Sequence, residues 1–415
     1  MNPPVLPLQP SATIAPVPVS AERRRGERPP VRMLHIITRM VRGGADENTL
    51  YTVRGLDPTR YHVDLVVGDG SEAQCLTGLD PAHVIHVPEL VRSPHPIKDV
   101  IALFKLARLI RRGRYQIVHT HTAKAGFLGR LAAALAGTPV IIHTVHGVTF
   151  HDHLPPGIRT FYLLLERIAG RFTHQFVTVG EDVKAKYLDA GIGEAHAYET
   201  IYSGMPLEDY LAAGDMNDIE RARVRRGLGL EPQHLAVAMA ARLEPRKGHT
   251  YLFQAVVRLR EAHPGLRVLI LGDGAHRAAL EREVGERGLT DRVRFLGHRT
   301  DLAQVLAAVD VSVLTSLWEG LPRVLVQSAA AGRPIVTFDV EGAWEVVRDG
   351  ENGFIVPTRD IEVLTQRLDQ VLRDRHRARA MGRLGRLQVG AAWTVETMVE
   401  RLDALYTRCA ADKAA

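Results

Sequence analysis

Four short stretches carry residues whose type and spacing could act on a phosphorylated ligand. The richest is Ser316-Leu317-Trp318-Glu319-Gly320-Leu321-Pro322-Arg323, which runs on through Gln327 to Gly332-Arg333-Pro334. Pro322 suits a first helical turn and Gly332 a helix end, which leaves Glu319 in the loop ahead of the helix. Gln327 stands eight residues on, about 80° around a helix of 3.6 residues per turn, so both side chains are expected along one side of a cleft. Amides at such a helix start, around Gly320 and Leu321, can hold phosphate, with Arg323 beside them. Glu319 can accept hydrogen bonds from sugar hydroxyls. A carboxylate there also gains simply from the helix dipole, and that reading stays open.

The second stretch is Ala241-Arg242-Leu243-Glu244-Pro245-Arg246-Lys247-Gly248. Arg242 and Lys247 lie at the edges of one loop, where both cations could converge on a diphosphate. Arginine chelates two oxygens and lysine acts as a point charge; a solvated charged loop is the competing reading. The third, Arg42-Gly43-Gly44-Ala45, offers paired glycines that let backbone approach a ligand at a helix start, or merely a tight turn. The fourth, Leu271-Gly272-Asp273-Gly274, lacks the last glycine and the acidic partner of a dinucleotide fingerprint. Alone it is an ordinary turn; beside the other loops Gly272 and Gly274 could floor a nucleotide pocket.

Histidines need separate weighing. His119-Thr120-His121 and His151-Asp152-His153 invite a metal reading, but no carboxylate-rich cluster accompanies them. No Asp-x-Asp pair stands convincingly at a strand end. No metal and no cofactor are expected.

These loops matter because of what positions them. Short apolar runs at 33–37, 63–67, 117–119, 140–143 and 175–179 read as buried strands, with helical periodicity between them, for example at 97–112 and 123–136. A second series follows at 235–240, 268–271, 293–296, 311–314 and 335–338. Strands alternating with helices imply parallel βαβ units. The expected fold class is α/β, with two doubly wound Rossmann-like domains facing a central cleft. The boundaries read as 31–206 for the first domain, 207–232 for a linker and 233–389 for the second domain. Residues 390–415 read as a helix crossing back to the first domain. In such sheets ligands lie beyond the carboxyl ends of the strands, and all four stretches follow strands.

Composition narrows the class. A chain of 415 residues exceeds one ordinary core. Its hydrophobic share of 46% and charged share of 24% are those of a globular protein, and its net charge of +6 admits polyanionic partners. Cys75 and Cys409 stand far apart, which fits a reducing compartment. No apolar run reaches the roughly 18 residues of a membrane span. Residues 1–30 are proline-rich, then basic, and read as a disordered leader rather than a signal peptide. A cytoplasmic protein is expected.

Taken together the motifs resemble the retaining glycosyltransferases of the GT4 family, which have the GT-B fold. The likeness runs from Val31 to the end and is most specific from Arg242 through Pro357. It includes Glu341-Gly342-Ala343-Trp344-Glu345 and the residues on to Gly353. The resemblance implies that Arg242 and Lys247 neutralise a donor diphosphate and that Glu319 is the first glutamate of the E-x7-E signature. The second glutamate is replaced by Gln327. In the first half His143-Thr144-Val145-His146-Gly147 resembles the family's His-Gly loop, which implies that His146 faces the donor sugar; a satisfied core histidine is the other reading. Metal independence is implied too, as are an acceptor-side first domain, a nucleotide-sugar-binding second domain and a role in capsule, exopolysaccharide or lipopolysaccharide assembly; a UDP-sugar is the first choice of donor and GDP-sugars stay open.

The acceptor side is less legible. Residues 97–114 combine Lys98, Lys105, Arg108, Arg111, Arg112 and Arg114 with Ile101, Leu103, Phe104, Leu106, Leu109 and Ile110. This helix could rest on an anionic membrane surface, at the inner face of the cytoplasmic membrane, beside a polyprenyl-diphosphate-linked or other glycan acceptor. It could equally pack on the sheet with a solvated basic face. Three other functions compete: a sugar-binding protein, which would be exported; a nucleotide-sugar epimerase; and a catalytically silent homologue, to which Gln327 gives weight. Nucleic-acid binding is disfavoured, because aromatics are 6% and do not interleave with the basic runs.

Overall fold

The computed structural model describes residues 29–41 and 43–413. The leader reading falls almost wholly outside these residues, and so does Arg42 of the Gly-Gly turn. Among the described residues two parallel sheets form. The first comprises β1 (Val31–Ile37), β2 (Tyr61–Gly68), β3 (Val84–Val87), β4 (Ile117–His121), β5 (Val140–Val145), β6 (Gln175–Thr178) and β7 (Tyr198–Thr200), in the order 3-2-1-4-5-6-7. The second comprises β8 (Leu235–Ala240), β9 (Leu266–Leu271), β10 (Val293–Gly297), β11 (Val311–Leu314), β12 (Ile335–Phe338) and β13 (Gly353–Val356), in the order 10-9-8-11-12-13. The added strands β3, β7 and β13 are short edge strands. His86 and Glu199 interrupt the apolar pattern of β3 and β7, and β13 opens on Gly353.

Each order reverses once, between β1 and β4 and between β8 and β11. Those switch points open crevices at the carboxyl ends of the strands, where ligands bind. The Gly43-Gly44 turn follows β1, the Arg242–Lys247 loop follows β8, and the Glu319 loop follows β11.

Residues 207–232 do not run as an open linker. They fold into helices Glu208–Gly214 and Asp218–Gly227, the latter opened by a capping box between Asn217 and Glu220. Ala213, Leu228 and Leu230 bury against Val305, Leu306 and Val309, and Met205 and Leu207 already belong to the second domain's core. The chain crosses back through the Val395–Asp412 helix. Its Met398, Leu402, Leu405 and Tyr406 pack with Met33, Ile117, Val140 and Ile142 of the first sheet. Among the described residues no helix is long and apolar enough to cross a membrane.

Candidate active site

The loop after β8 is built on one glycine. Gly248 has φ +66, and a Cβ there would stand 2.1 Å from the Thr315 carbonyl. That close approach brings Lys247 against the β11 loop, and the Leu317 amide donates to the Arg246 carbonyl at 2.8 Å. Lys247 Nζ then bonds directly to Glu319 Oε1, while Arg246 Nη1 lies 3.4 Å from Glu319 Oε2. Burial pushes the Glu319 carboxyl up, but the Lys247 and Arg246 charges more than reverse this and hold it below the usual carboxylate range. Burial also lowers Lys247, against the attraction of Glu319.

Glu319 is held from behind as well: its amide donates to Glu341 Oε2 at 3.1 Å. Arg242 sits apart from this pair and bonds Glu244 at 3.1 Å. Beside Lys247, His249 is buried, and neither of its ring nitrogens has a partner among the described residues. A buried polar group of this kind is normally satisfied, and a bound polar ligand can do so.

Gly272 and Gly274 serve this loop structurally. Cβ atoms there would meet the Ala241 and Leu243 carbonyls at 2.2 and 2.5 Å. Their turn is therefore the platform on which the Arg242 loop rests. Gln327 is half-buried on the Arg323–Ala330 helix, and its side chain makes no hydrogen bond among the described residues. Arg323 reaches across the cleft to Glu47 Oε2 at 2.6 Å. Its stem lies 3.1 Å from where a Cβ on Gly44 would be. The structure thus gives Arg323 an inter-domain partner at the Gly43-Gly44 turn. Asp46 in the same turn is buried, and burial pushes its carboxyl up to about 7 against Arg39 and Arg242.

The two halves touch backbone to backbone. A Cβ on Gly320 would fall 1.8 Å from the His146 carbonyl, and one on Gly147 would lie 3.6 Å from Gly320 Cα. His146 therefore sits where the loops of β5 and β11 meet. Burial lowers its pKa to about 3, so the imidazole is neutral. Gly320→Ala is expected to force these loops apart and cut transfer activity at least about 100-fold, with far-UV circular dichroism unchanged. Full activity in that variant would show that the contact is dispensable.

Sequence reading missed most of the inter-domain latch. Lys186 bonds Glu341, Tyr202 Oη donates to Glu345 Oε2 at 2.7 Å, and the Gly342 amide donates to Asp182 at 3.2 Å. The signal available was the Glu341–Glu345 stretch itself, whose partners lie more than 140 residues away. His151 and His153 both stack on Trp318, at 4.7 and 4.8 Å, and His153 bonds the Leu317 carbonyl. His119 and His121 lie within a buried cluster with His35. Every ring nitrogen of these three is engaged: by Met33, His146, Tyr406, Thr144 or one another.

Comparison with known proteins bears on this geometry. Residues 43–204 match the family profile described as "Glycosyl transferase 4-like domain", and residues 220–388 match "Glycosyl transferases group 1". The putative glycosyltransferase EpsD of Bacillus subtilis is 30% identical over 74% of this chain and 82% of its own. The chain is a GT4-type glycosyltransferase.

A second relative of this glycosyltransferase is the UDP-Gal:alpha-D-GlcNAc-diphosphoundecaprenol alpha-1,3-galactosyltransferase of Escherichia coli. It is 29% identical over 83% of this chain and 89% of its own. HepE of Anabaena, solved with UDP-glucose, superposes with a TM-score of 0.75 at 22% identity, covering 91% of this chain and 99% of that one. That likeness shows the GT-B fold.

Proposed function

We propose that this glycosyltransferase moves a hexosyl group, with retention of anomeric configuration and without a metal, from a UDP-linked donor. The acceptor is a polyprenyl-diphosphate-linked or other glycan in surface polysaccharide or glycoconjugate synthesis. The observation that carries this reading is the Lys247–Arg246–Glu319 cluster at the switch point of the second sheet, abutting the His146-Gly147 loop of the first.

Breaking a sugar–diphosphate bond places negative charge on the leaving phosphate. Cations fixed in place stabilise that charge without reorganising. Lys247 is now shared with Glu319, so an entering diphosphate draws on the same ammonium group, while Glu319 remains to orient sugar hydroxyls. Arg242 at the other edge of the loop supplies a further cation. Gln327 keeps donor and acceptor capacity where a glutamate would only accept. The relative that uses a lipid-diphosphate acceptor supports the acceptor class, and the UDP-bound neighbours support the nucleotide.

The acceptor side supports docking at a membrane surface. The Pro96–Gly113 helix carries two apolar faces. Ala102, Leu106, Ala107 and Ile110 are buried against the Ala123–Ala136 helix, with Leu103 and Leu109 partly so. Ile97, Val100, Ile101 and Phe104 are exposed at i, i+3, i+4, i+7 spacing, Phe104 by 64%. The Pro156–Gly170 helix adds exposed Ile158, Phe161 and Leu164. With Lys98, Arg108 and Arg112 nearby, this surface suits anionic lipid at the inner face of the cytoplasmic membrane.

The test is transfer from a labelled UDP-hexose to a polyprenyl-diphosphate-linked sugar, with the product anomer read by NMR. An inverted anomer, or no transfer from any nucleotide sugar, contradicts the proposal. Phe104→Glu with Phe161→Glu is expected to abolish sedimentation with anionic vesicles while transfer to a short-chain soluble acceptor persists. Unchanged sedimentation would reject the docking surface.

A further inference from the structure

Strands β1, β4 and β5 lie side by side and align residues distant in sequence; His35 pairs in register with His119. His35 Nε2 lies 3.2 Å from Met33 Sδ, and His35 Nδ1 lies 3.0 Å from His121 Nε2. His121 Nδ1 in turn lies 3.2 Å from His146 Nε2. Met33, His35 and His121 have no exposed surface. A chain of three imidazoles therefore runs from a buried thioether to the cleft.

Each bond between neutral imidazoles needs one N–H and one lone pair, so fixing one ring fixes them all. A thioether has no hydrogen to give. Met33 Sδ can only accept, so His35 carries its proton on Nε2 and accepts at Nδ1. His121 then donates from Nε2 and accepts at Nδ1, and His146 donates from Nε2. The reverse polarity would set a bare nitrogen against the sulfur in a dry interior, where an unmade hydrogen bond is costly. His146 Nδ1 is left as a lone pair. It has no partner among the described residues and is not among the buried unpartnered atoms, so it opens to the cleft.

We infer that Met33, His35 and His121 form a tautomer clamp, which makes His146 present a bare Nδ1 acceptor and so select a hydroxyl on the donor sugar. The inference rests on the reading that a nucleotide sugar lies beside His146. The three clamp residues are positioning residues and touch no substrate. Burial keeps the chain neutral: His35 and His146 are lowered to about 3, and His121 lies well below its usual value. His119 stands beside the chain, its rings' centroids 4.3 Å from His121 and 4.9 Å from His35. Its nitrogens bond Tyr406 Oη and Thr144 Oγ1, both at 2.7 Å. Hydroxyls give or accept equally, so His119 imposes no direction.

Nitrogen-15 NMR of histidine-labelled protein reads each ring's tautomer directly. Native His146 is expected to be protonated at Nε2 and bare at Nδ1, with the Nδ1 resonance moving when a UDP-sugar binds. Met33→Leu keeps the volume but removes the acceptor that sets polarity. It should give mixed tautomers at His121 and His146 and raise KM roughly 3- to 10-fold, the loss of about one hydrogen bond, with kcat changed less. His35→Gln, whose amide can accept from His121 and donate to Met33, should keep the native tautomer. A native His146 protonated at Nδ1, or a Met33→Leu protein with an unaltered tautomer, overturns the clamp. A correct tautomer whose Nδ1 resonance ignores saturating UDP-sugar overturns the donor reading instead.

Discussion

Lys247→Ala is expected to lower kcat/KM for transfer by at least about 100-fold and to cost about 3 kcal/mol of stability. The two effects have separate origins. Removing the ammonium takes a cation away from the leaving diphosphate, where fixed charges are worth 10²- to 10³-fold. It also strands Glu319, only 8% exposed, and breaking a buried ion pair costs about 3–5 kcal/mol; Arg246 remains on Glu319 Oε2, which places the loss near the lower end. The double variant Lys247→Ala with Glu319→Ala separates the effects. It should regain most of the stability, since no charge is left unpaired, but not the activity. Glu319→Ala alone should impair sugar discrimination and transfer while bare UDP still binds within about threefold of native, because Lys247 is then released toward phosphate. Urea unfolding and calorimetry read both quantities. Recovered activity in the double variant would remove Lys247 from the mechanism.

Between pH 7 and 5.5 the fold is expected to lose roughly 4 kcal/mol of stability. His35, His119, His121 and His143 are all buried to within 2% exposure, and burial lowers every one of them. A depressed folded pKa means that the unfolded chain takes up protons first. Stability is then full above the ordinary histidine value of about 6.5 and falls as pH drops through it. Each ring contributes about 1 kcal/mol over this window, and His146 and His249, lowered to about 3 and about 4, act in the same sense. Asp46 works in the opposite sense: raised to about 7, it is protonated in the folded state first and returns roughly 1–2 kcal/mol. Arg130, paired with Glu166 at 2.7 Å beside His143, adds repulsion to any charge there. The check is the urea midpoint at the two pH values. An unchanged midpoint would mean that the cluster is not neutral and buried.

Much of this was legible in the sequence. A central strand such as β8 is a continuous apolar run because both faces are covered, and the Ala123–Ala136 helix has the bounds its periodicity predicts. Strand-end loops with cations and glycines announced Lys247 and Glu319, since ligand crevices lie at those ends. Three kinds of feature were not legible. The histidine chain joins residues 33, 35, 121 and 146 only through the lateral order of β1, β4 and β5, which hydrophobic pattern does not encode. Inter-domain pairs such as Arg323–Glu47 and Tyr202–Glu345 depend on how two independently folded sheets sit together. The helices of 207–232 carry so many charges, with only Ala213 buried on them and Leu228 and Leu230 beyond the second, that no apolar stripe is evident.

Calorimetric titration of the native protein and Lys247→Ala with UDP-, GDP- and ADP-hexoses tests the donor site most directly. Native protein is expected to prefer the UDP-sugar, and Lys247→Ala to lose measurable binding. Equal affinity of both proteins for every nucleotide sugar, or no binding by either, would contradict a donor site built on Lys247 and Glu319.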